Sequence, residues 1–120
     1  MPYRFSQKVW KQAKEETRKI LIDRARMRNM IPYSGLVNQI QTIQFEAHDV
    51  RLFAMLGEIS SEEAAAGRGM LSALVVHKTG DMQPGPGFFE LAESLGLDTS
   101  DILKCWVEEF KKVYAYWENS

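Results

Sequence analysis

Apolar residues recur at helical spacing near both ends of the chain. From Ser6 to about Asn29 there is no glycine or proline, and the apolar residues fall on one side of a helical wheel. That side comprises Phe5, Val9, Ala13, Ile20 and Met27. Most of the basic residues lie opposite. The pattern predicts a long amphipathic N-terminal helix with a cationic face.

The last helix carries the strongest periodic signal, and Asp98, Thr99 or Ser100 is expected to open it. Its apolar stripe, spaced three and four residues apart, comprises Leu103, Trp106, Phe110, Val113 and Trp117. So wide an aromatic stripe has to be covered. The domain's own first helix could cover it. Alternatively, a second copy or a partner protein could pack on an interface of Trp106, Phe110, Val113 and Trp117, because aromatic stripes also form interface cores.

Shorter helices are predicted between these two. Pro32 ends the first helix, and Ser34 is the expected N-cap of a second, amide-rich helix. Its inward residues are expected to be Leu36, Val37, Ile40 and Ile43. A third helix, about Ala47–Leu56, should bury Val50, Phe53 and Leu56 and end at Gly57. Ser60 then fits the start of a further short helix through Ala66.

One apolar strand and a loop rich in glycine and proline follow. The run from Met70 to Val76 is typical of a strand covered on both faces. The loop contains Gly80, Pro84, Gly85, Pro86 and Gly87, and a short helix from about Gly87 to Leu95 should end at Gly96. We expect Gly85 or Gly87 to adopt a backbone angle closed to other residues.

The element order resembles a winged helix-turn-helix with the loop as its wing, similar in layout to the DNA-binding domain of alkyltransferase-like proteins. Alkyl-transfer chemistry is not implied, because the Pro-Cys-His-Arg motif is absent. The segment from Leu71 to Phe89, with its pattern LSALVVHKTG then PGPGFF, also resembles one in small uncharacterised bacterial proteins. The expected fold class is α+β, mostly helical and winged-helix-like, with one small sheet, in a single domain over residues 1–120.

The composition of the chain limits the number of domains, the cellular location and the kinds of site that we expect. A chain of 120 residues with 45% apolar content suits one domain. The single cysteine, Cys105, excludes an internal disulfide, and no window is apolar enough for a signal peptide or a membrane span, so we expect a cytoplasmic protein with no membrane contact. Two isolated histidines predict no metal site. No cofactor is expected either, because Gly85 to Gly87 lacks the Lys-Ser/Thr pair of a phosphate-binding loop.

Charge is polarised along the chain. Residues 1–30 hold nine basic and three acidic groups, whereas the other ninety hold six basic and thirteen acidic groups. A basic helix can follow a phosphate backbone and amide side chains can contact base edges. The candidate nucleic-acid-binding residues are Lys8, Lys11, Lys14, Arg18, Asn38 and Gln41. Reversing the charge of Lys11, Lys14 and Arg18 is expected to abolish such binding without unfolding the domain.

Three classes of function stay open. The favoured one is a non-catalytic interaction module, an adaptor or regulatory subunit that docks a partner protein or a second copy of itself. The alternative is a winged-helix-like protein that binds DNA or RNA. A second alternative is a small enzyme that uses His77, a histidine at a strand end near Asp81, Glu58 and Glu90 that could act as an acid or base.

Overall fold

Five α-helices and a two-stranded sheet make up the part of the chain that the computed structural model describes, residues 6–46, 49–77 and 85–118. In chain order the elements are α1 (Gln7–Arg26), β1 (Ile31–Pro32), α2 (Tyr33–Gln39), α3 (Val50–Ala65), a 3₁₀ turn (Leu71–Leu74), β2 (Val75–Val76), α4 (Pro86–Ser94) and α5 (Ile102–Glu118). β1 and β2 run parallel, with Ile31 opposite Val75. The expected α+β class, mostly helical with one small sheet, is confirmed. The winged-helix layout stays a prediction, because loop residues 78–84 lie outside the described ranges.

α1 begins where the sequence predicts, because the Ser6 side chain accepts a hydrogen bond from the Val9 N–H at 3.1 Å. Its buried face is rotated relative to the predicted one. The buried residues of the helix are Trp10, Ala13, Thr17, Leu21 and Ala25. Val9 and Ile20 are only half-buried at the edge of this face, and Met27, just past the helix end, is exposed. Phe5 lies outside the described residues.

α5 is capped by Asp101 instead of Asp98, Thr99 or Ser100, because the Asp101 carboxylate accepts a hydrogen bond from the Lys104 N–H at 3.1 Å. Its fully covered residues are Cys105, Glu109, Val113 and Tyr114. The domain itself covers much of the aromatic stripe: Val113, Phe110 and Trp117 pack in one cluster with α1, and the Trp106 Nε1–H donates to the Ala73 carbonyl at 2.9 Å. Leu103 stays exposed.

α3 is one continuous helix, so the predicted break at Gly57 and the separate short helix from Ser60 are both wrong. Asp49 caps it by accepting from the Arg51 N–H at 2.9 Å. Ser60 does not cap a helix, because its hydroxyl is bonded to Ser72. Leu56 is buried as predicted, whereas Val50 and Phe53 are exposed.

The predicted strand from Met70 to Val76 is buried as expected, but only its last two residues are a strand. Leu71–Leu74 form the 3₁₀ turn, with Met70 just before it. Two N–H groups of this segment bond to side chains from other parts of the chain. The Glu109 carboxylate accepts from the Met70 N–H at 3.1 Å, and the Ser60 hydroxyl accepts from the Ser72 N–H at 2.9 Å. The N–H groups of Met70 and Ser72 are thus paired without a neighbouring strand.

The core of the described residues consists of two clusters. The larger joins α1, α2, α3 and both strands to Val113 and Tyr114 of α5. The smaller comprises Met70, Ala73, Phe88, Ala92 and Cys105, with Trp106 and Phe110 packed against it. α2 starts at Tyr33, directly after Pro32, so Ser34 is not its cap; Ile40 and Ile43 are buried beyond its end. Among the described helices, none is both long and apolar enough to cross a bilayer.

Candidate functional site

An apolar cleft of about 560 Å³ separates α3 from α4. The α3–α4 cleft is lined by Tyr33, Phe53, Leu56, Gly57, Ser72, His77, Gly85, Gly87, Phe88, Glu90, Leu91 and Ser94. Most of the lining is apolar, with a few hydroxyl, imidazole and carboxylate groups. Its size and composition are those of a binding site, since such sites are concave and mostly apolar, with few polar groups.

The α3 wall presents a line of residues that are only partly covered in the described structure. Val50, Phe53 and Gly57 are three and four residues apart, so they lie on one face of the helix. Phe53 is 42% exposed and Val50 is 64% exposed, and Val50 extends the apolar surface beyond the cleft. A Cβ atom on Gly57 would meet only Leu91 Cδ2, at 4.0 Å, among the described residues. The floor of the cleft at Gly57 is therefore open.

The α4 wall begins at Gly85, with Pro86 in the first turn, where its missing N–H costs nothing. Gly85 has φ −71° and ψ 172°, an extended conformation open to any residue, and Gly87 lies within the helix. The expectation of a special backbone angle at Gly85 or Gly87 is therefore wrong. A Cβ atom on Gly85 would lie 3.4 Å from His77 Nε2 and 3.6 Å from Tyr33 Oη, which are ordinary contacts, so the described residues leave room for a methyl group there.

Tyr33 connects the two walls. Its Oη atom accepts a hydrogen bond from the Gly85 N–H at 3.2 Å, and its ring lies 5.3 Å from the His77 ring and 5.7 Å from the Phe53 ring. Burial raises the pKa of the Tyr33 phenol, and the Gly85 N–H opposes this effect only in part. The phenol therefore stays protonated at neutral pH, and no described residue accepts its proton.

A second hydroxyl reaches the cleft from the 3₁₀ turn. The Ser60 hydroxyl donates to Ser72 Oγ at 2.6 Å and accepts from the Ser72 N–H at 2.9 Å. This reciprocal pair fixes the turn against α3 and uses the Ser60 proton. The Ser60 and Ser72 hydroxyls are therefore paired with each other at this edge of the cleft.

His77 lies in the cleft, as does Glu90, but no described residue makes a hydrogen bond to its imidazole. Glu58 accepts instead from Trp10 Nε1–H and Lys14, each at 3.2 Å, and Asp81 lies outside the described residues. Among the described residues, neither Ser72 nor Tyr33 is hydrogen-bonded to His77, so the nucleophile–base pair that covalent catalysis uses is not formed between them.

Comparisons with protein-family models, with curated proteins and with solved structures found no match to this chain. The geometry of the site therefore has to carry the functional assignment.

The basic residues of the predicted cationic face of α1 fall into two groups, one exposed and one paired with glutamates. Lys8 and Lys11 are exposed. Lys14, by contrast, lies 2.5 Å from Glu62 and 3.2 Å from Glu58. Burial disfavours its charged form, but the hydrogen bonds to Glu62 and Glu58 outweigh this and raise the pKa of Lys14. Two of the proposed phosphate contacts, Lys14 and Arg18, are thus occupied by glutamates of α3, while Asn38 and Gln41 are exposed.

Arg18 belongs to a buried ion cluster that the sequence pattern did not reveal. Glu63, 1% exposed, accepts from Arg18 Nη1 at 2.6 Å and from Arg68 Nε and Nη2, both at 2.8 Å. The expectation that charge reversal at Arg18 spares the fold is therefore corrected, because it would place a carboxylate against Glu63. The sequence holds one indication that Glu63 is buried. It follows Ile59 by four residues and therefore falls on the same face of α3.

Proposed function

We propose that this protein is a non-catalytic interaction module, an adaptor or regulatory subunit, whose α3–α4 cleft docks an amphipathic helix of a partner protein. The observation that carries the proposal is the continuity of the apolar cleft with the exposed side chains of Phe53 and Val50. Contiguous exposed apolar surface of this kind is typical of interaction sites.

A helix fits this surface better than a small molecule does. From Val50 to Gly57 the apolar line spans about 10 Å of α3, and it continues outside the cleft, where a small ligand would leave Val50 uncovered. Two helical walls form a groove, and amphipathic helices dock in such grooves through residues three, four and seven apart. A helix crossing the open floor at Gly57 could approach the α3 backbone closely.

The charges beside the cleft indicate which side chains a partner helix would carry. Glu90 lines the cleft and is exposed, and it forms no ion pair with a described residue. Glu93 is exposed on the same helix. A partner helix with lysine or arginine beside its apolar face would be complementary to these carboxylates.

The other interpretations have less support. The proposed α5 interface loses Val113, which is fully buried, and keeps only half-buried Trp106, Phe110 and Trp117. Nucleic-acid binding keeps the exposed Lys8, Lys11, Asn38 and Gln41, because glutamates of α3 pair with Lys14 and Arg18. The buried thiol of Cys105 is compatible with a reducing cytoplasm, which we retain as part of the proposal.

The test uses a synthetic amphipathic helical peptide of leucine and lysine, about four turns long, labelled for fluorescence anisotropy. We expect the wild-type protein to bind it and Gly57→Leu to weaken binding by about tenfold or more, because the new side chain fills the cleft floor. Leu103→Ser, at an exposed apolar residue of α5, is the matched control and should change affinity by about twofold or less. A leucine–glutamate peptide of the same pattern should bind more weakly than the lysine peptide.

Equal binding by wild type and Gly57→Leu would overturn the proposal, as would an equal loss with Leu103→Ser. Tight binding of double-stranded DNA at about 50 mM salt, unchanged by Gly57→Leu, would favour the nucleic-acid alternative instead.

A further inference from the structure

We infer that this protein associates with itself head to tail, through two exposed surfaces that are complementary in charge. The first, the acidic end, comprises Ile102 and Leu103 in the first turn of α5 and the carboxylates beside them. The second, the basic turn, comprises residues 26–28, where α1 ends. The basic turn of one copy docks on the acidic end of the next. This contact uses neither wall of the α3–α4 cleft, so it goes beyond the proposed function.

The acidic end has an apolar face that the rest of the domain leaves half exposed. Ile102 precedes Cys105 by three residues and Glu109 by seven, so the three lie on one face of α5. Cys105 and Glu109 are buried, whereas Ile102 and its neighbour Leu103 are each 50% exposed. The covered face of the helix therefore continues beyond its cover, and two apolar side chains are available to a second molecule.

Carboxylates lie beside these two residues. Asp98, Asp101 and Glu108 line a hollow of about 210 Å³ together with Lys104. Lys104 is the one cation among the described lining residues, and its ammonium group lies 4.0 Å from Glu108. Three carboxylates against one ammonium group give the hollow a net negative charge. A cationic side chain of a partner would be complementary to it.

The basic turn has the opposite charge and an exposed apolar side chain of its own. Met27 is 60% exposed, and the side chains of Arg26 and Arg28 on either side of it are 50% and 61% exposed. The turn has a fixed shape, because the Asn29 N–H donates to the Arg24 carbonyl at 2.9 Å. Arg28 has φ +55°, a left-handed conformation that is uncommon for a residue other than glycine. The three side chains are therefore presented on a preformed turn, which lowers the entropic cost of docking.

A second copy is the partner that these charges favour. An arginine of the basic turn that enters the hollow meets three carboxylates, while Met27 covers the two exposed apolar residues of α5. Within one copy Arg26 lies 4.0 Å from Asp23, and both side chains are about half exposed. Arg28 pairs with Glu118, again at the surface. Exposed pairs of this kind contribute little to stability, so the guanidinium groups can exchange them for the carboxylates of another copy.

The two surfaces cannot meet within one copy. Arg28 Nε donates to Glu118 at 2.9 Å, so the basic turn lies at the C-terminal end of α5. Ile102 is at the other end of the helix, about 24 Å away along its axis. The contact therefore joins different copies. Because its two sides are different surfaces, each copy can bind one neighbour through each of them.

The experiment is sedimentation velocity of the full chain from about 10 µM to about 1 mM, a range that covers the weak affinities expected of a small contact. We expect the sedimentation coefficient of the wild type to rise with concentration at about 50 mM salt. The rise should be smaller at about 500 mM salt, because salt screens exposed charges. A wild type that stays monomeric over the whole range at low salt would overturn the inference.

Two variants each remove one surface. Met27→Glu places a carboxylate in the basic turn, and Leu103→Ser removes an apolar side chain from the acidic end. Both side chains are at least half exposed, so the fold should be retained; if circular dichroism shows a loss of helix in Met27→Glu, Arg26→Glu replaces it. Each variant alone should associate at least about tenfold more weakly than the wild type. Phe53→Ala is the matched control: Phe53 is 42% exposed but lines the cleft, so self-association should stay within about twofold.

An equimolar mixture of the two variants tests the head-to-tail geometry. The Leu103→Ser copy keeps its basic turn and the Met27→Glu copy keeps its acidic end, so the mixture should form a 1:1 dimer with wild-type affinity. The dimer should not grow further, because its outer surfaces are the two altered ones. A mixture that stays monomeric would mean that copies meet through like surfaces, and the head-to-tail contact would be wrong. The inference also fails if either variant associates as tightly as the wild type, or if Phe53→Ala weakens association as much as they do.

Discussion

The two faces of α3 differ in how completely the rest of the chain covers their side chains and pairs their polar groups. The face toward α1 and the 3₁₀ turn comprises Leu52, Met55, Ile59, Ser60 and Glu63, all buried. On this closed face the polar residues are partnered: Ser60 by Ser72, and Glu63 by Arg18 and Arg68. The open face presents Val50, Phe53 and Gly57 to the cleft and to its surroundings.

The difference separates stability from binding within one helix. A buried carboxylate is tolerated on the closed face because two guanidinium groups surround it. On the open face the side chains of Val50 and Phe53 stay 64% and 42% exposed in the described molecule. Substitutions on the closed face should therefore damage folding, and those on the open face should act mainly on ligand binding.

The largest expected effect comes from removing the buried carboxylate. Glu63→Ala should lower the free energy of unfolding by about 3–5 kcal/mol, because Arg18 and Arg68 would lose the partner that they share. Urea denaturation followed by circular dichroism measures this change. Glu62→Ala is the matched control: its carboxylate pairs with Lys14 and with Arg18 but is 49% exposed, so the loss should be about 1 kcal/mol or less. Similar losses in the two variants would mean that the cluster contributes no more than a surface ion pair.

The next largest effects on stability are expected at two adjacent apolar residues that lie on different faces of α3. Leu52 is fully buried, so Leu52→Ala should cost about 2–5 kcal/mol. Phe53 is larger but faces the cleft, and Phe53→Ala should cost about 1 kcal/mol or less while weakening binding of the leucine–lysine peptide. Urea denaturation gives the first quantity and anisotropy the second. A stability loss at Phe53 as large as that at Leu52 would show that the open face is part of the core.

Local sequence signals predicted the elements whose ends they control. The apolar periodicity and the Ser6 cap predicted α1, and α4 ends just before Gly96, whose φ of +85° suits glycine. Gly57 failed as a stop signal, because packing of Ile59 and Ser60 continues the helix through it. The strand prediction from Met70 failed for a similar reason, since side chains from distant segments bond its N–H groups.

The cleft was only partly predictable. His77, Gly85 and Gly87 were recognised from the chain and do line it. Tyr33 and Ser72 were not, because each lines the cleft only through contacts between distant segments, such as Tyr33 with Gly85. The cationic face of α1 was also only partly predictable. The sequence shows how many basic residues the helix has, but only the fold shows that Lys14 pairs with glutamates of α3.

A smaller effect is expected in the pH dependence of stability, from Asp49 at the N-terminal end of α3. Hydrogen bonds from the Arg51 guanidinium lower the pKa of Asp49 to about 2, whereas an unfolded aspartate titrates near 3.9. A depressed folded pKa gives stability that is present above about pH 4 and lost as pH falls toward 2. Asp49→Asn keeps a cap acceptor but loses the ion pair, so it should cost about 1 kcal/mol at pH 7. The difference from wild type should shrink in urea denaturation at pH 2.5; a constant difference would exclude the ion pair as its source.

The smallest effect has the opposite sign. Gly57→Ala should raise the free energy of unfolding by about 0.5–1 kcal/mol, because alanine restricts the unfolded chain and favours the helix, and its methyl group meets only Leu91 at 4.0 Å. Gly69 is the matched control. It has φ +91°, and a Cβ atom there would lie 3.0 Å from Val113 Cγ2, so Gly69→Ala should destabilise by more than about 1 kcal/mol. If Gly57→Ala also stabilises the fold while weakening the leucine–lysine peptide, glycine at this position serves the occupant of the cleft and not the helix. A destabilised Gly57→Ala variant would instead mean that the helix itself requires glycine there, and the open floor would lose its functional meaning.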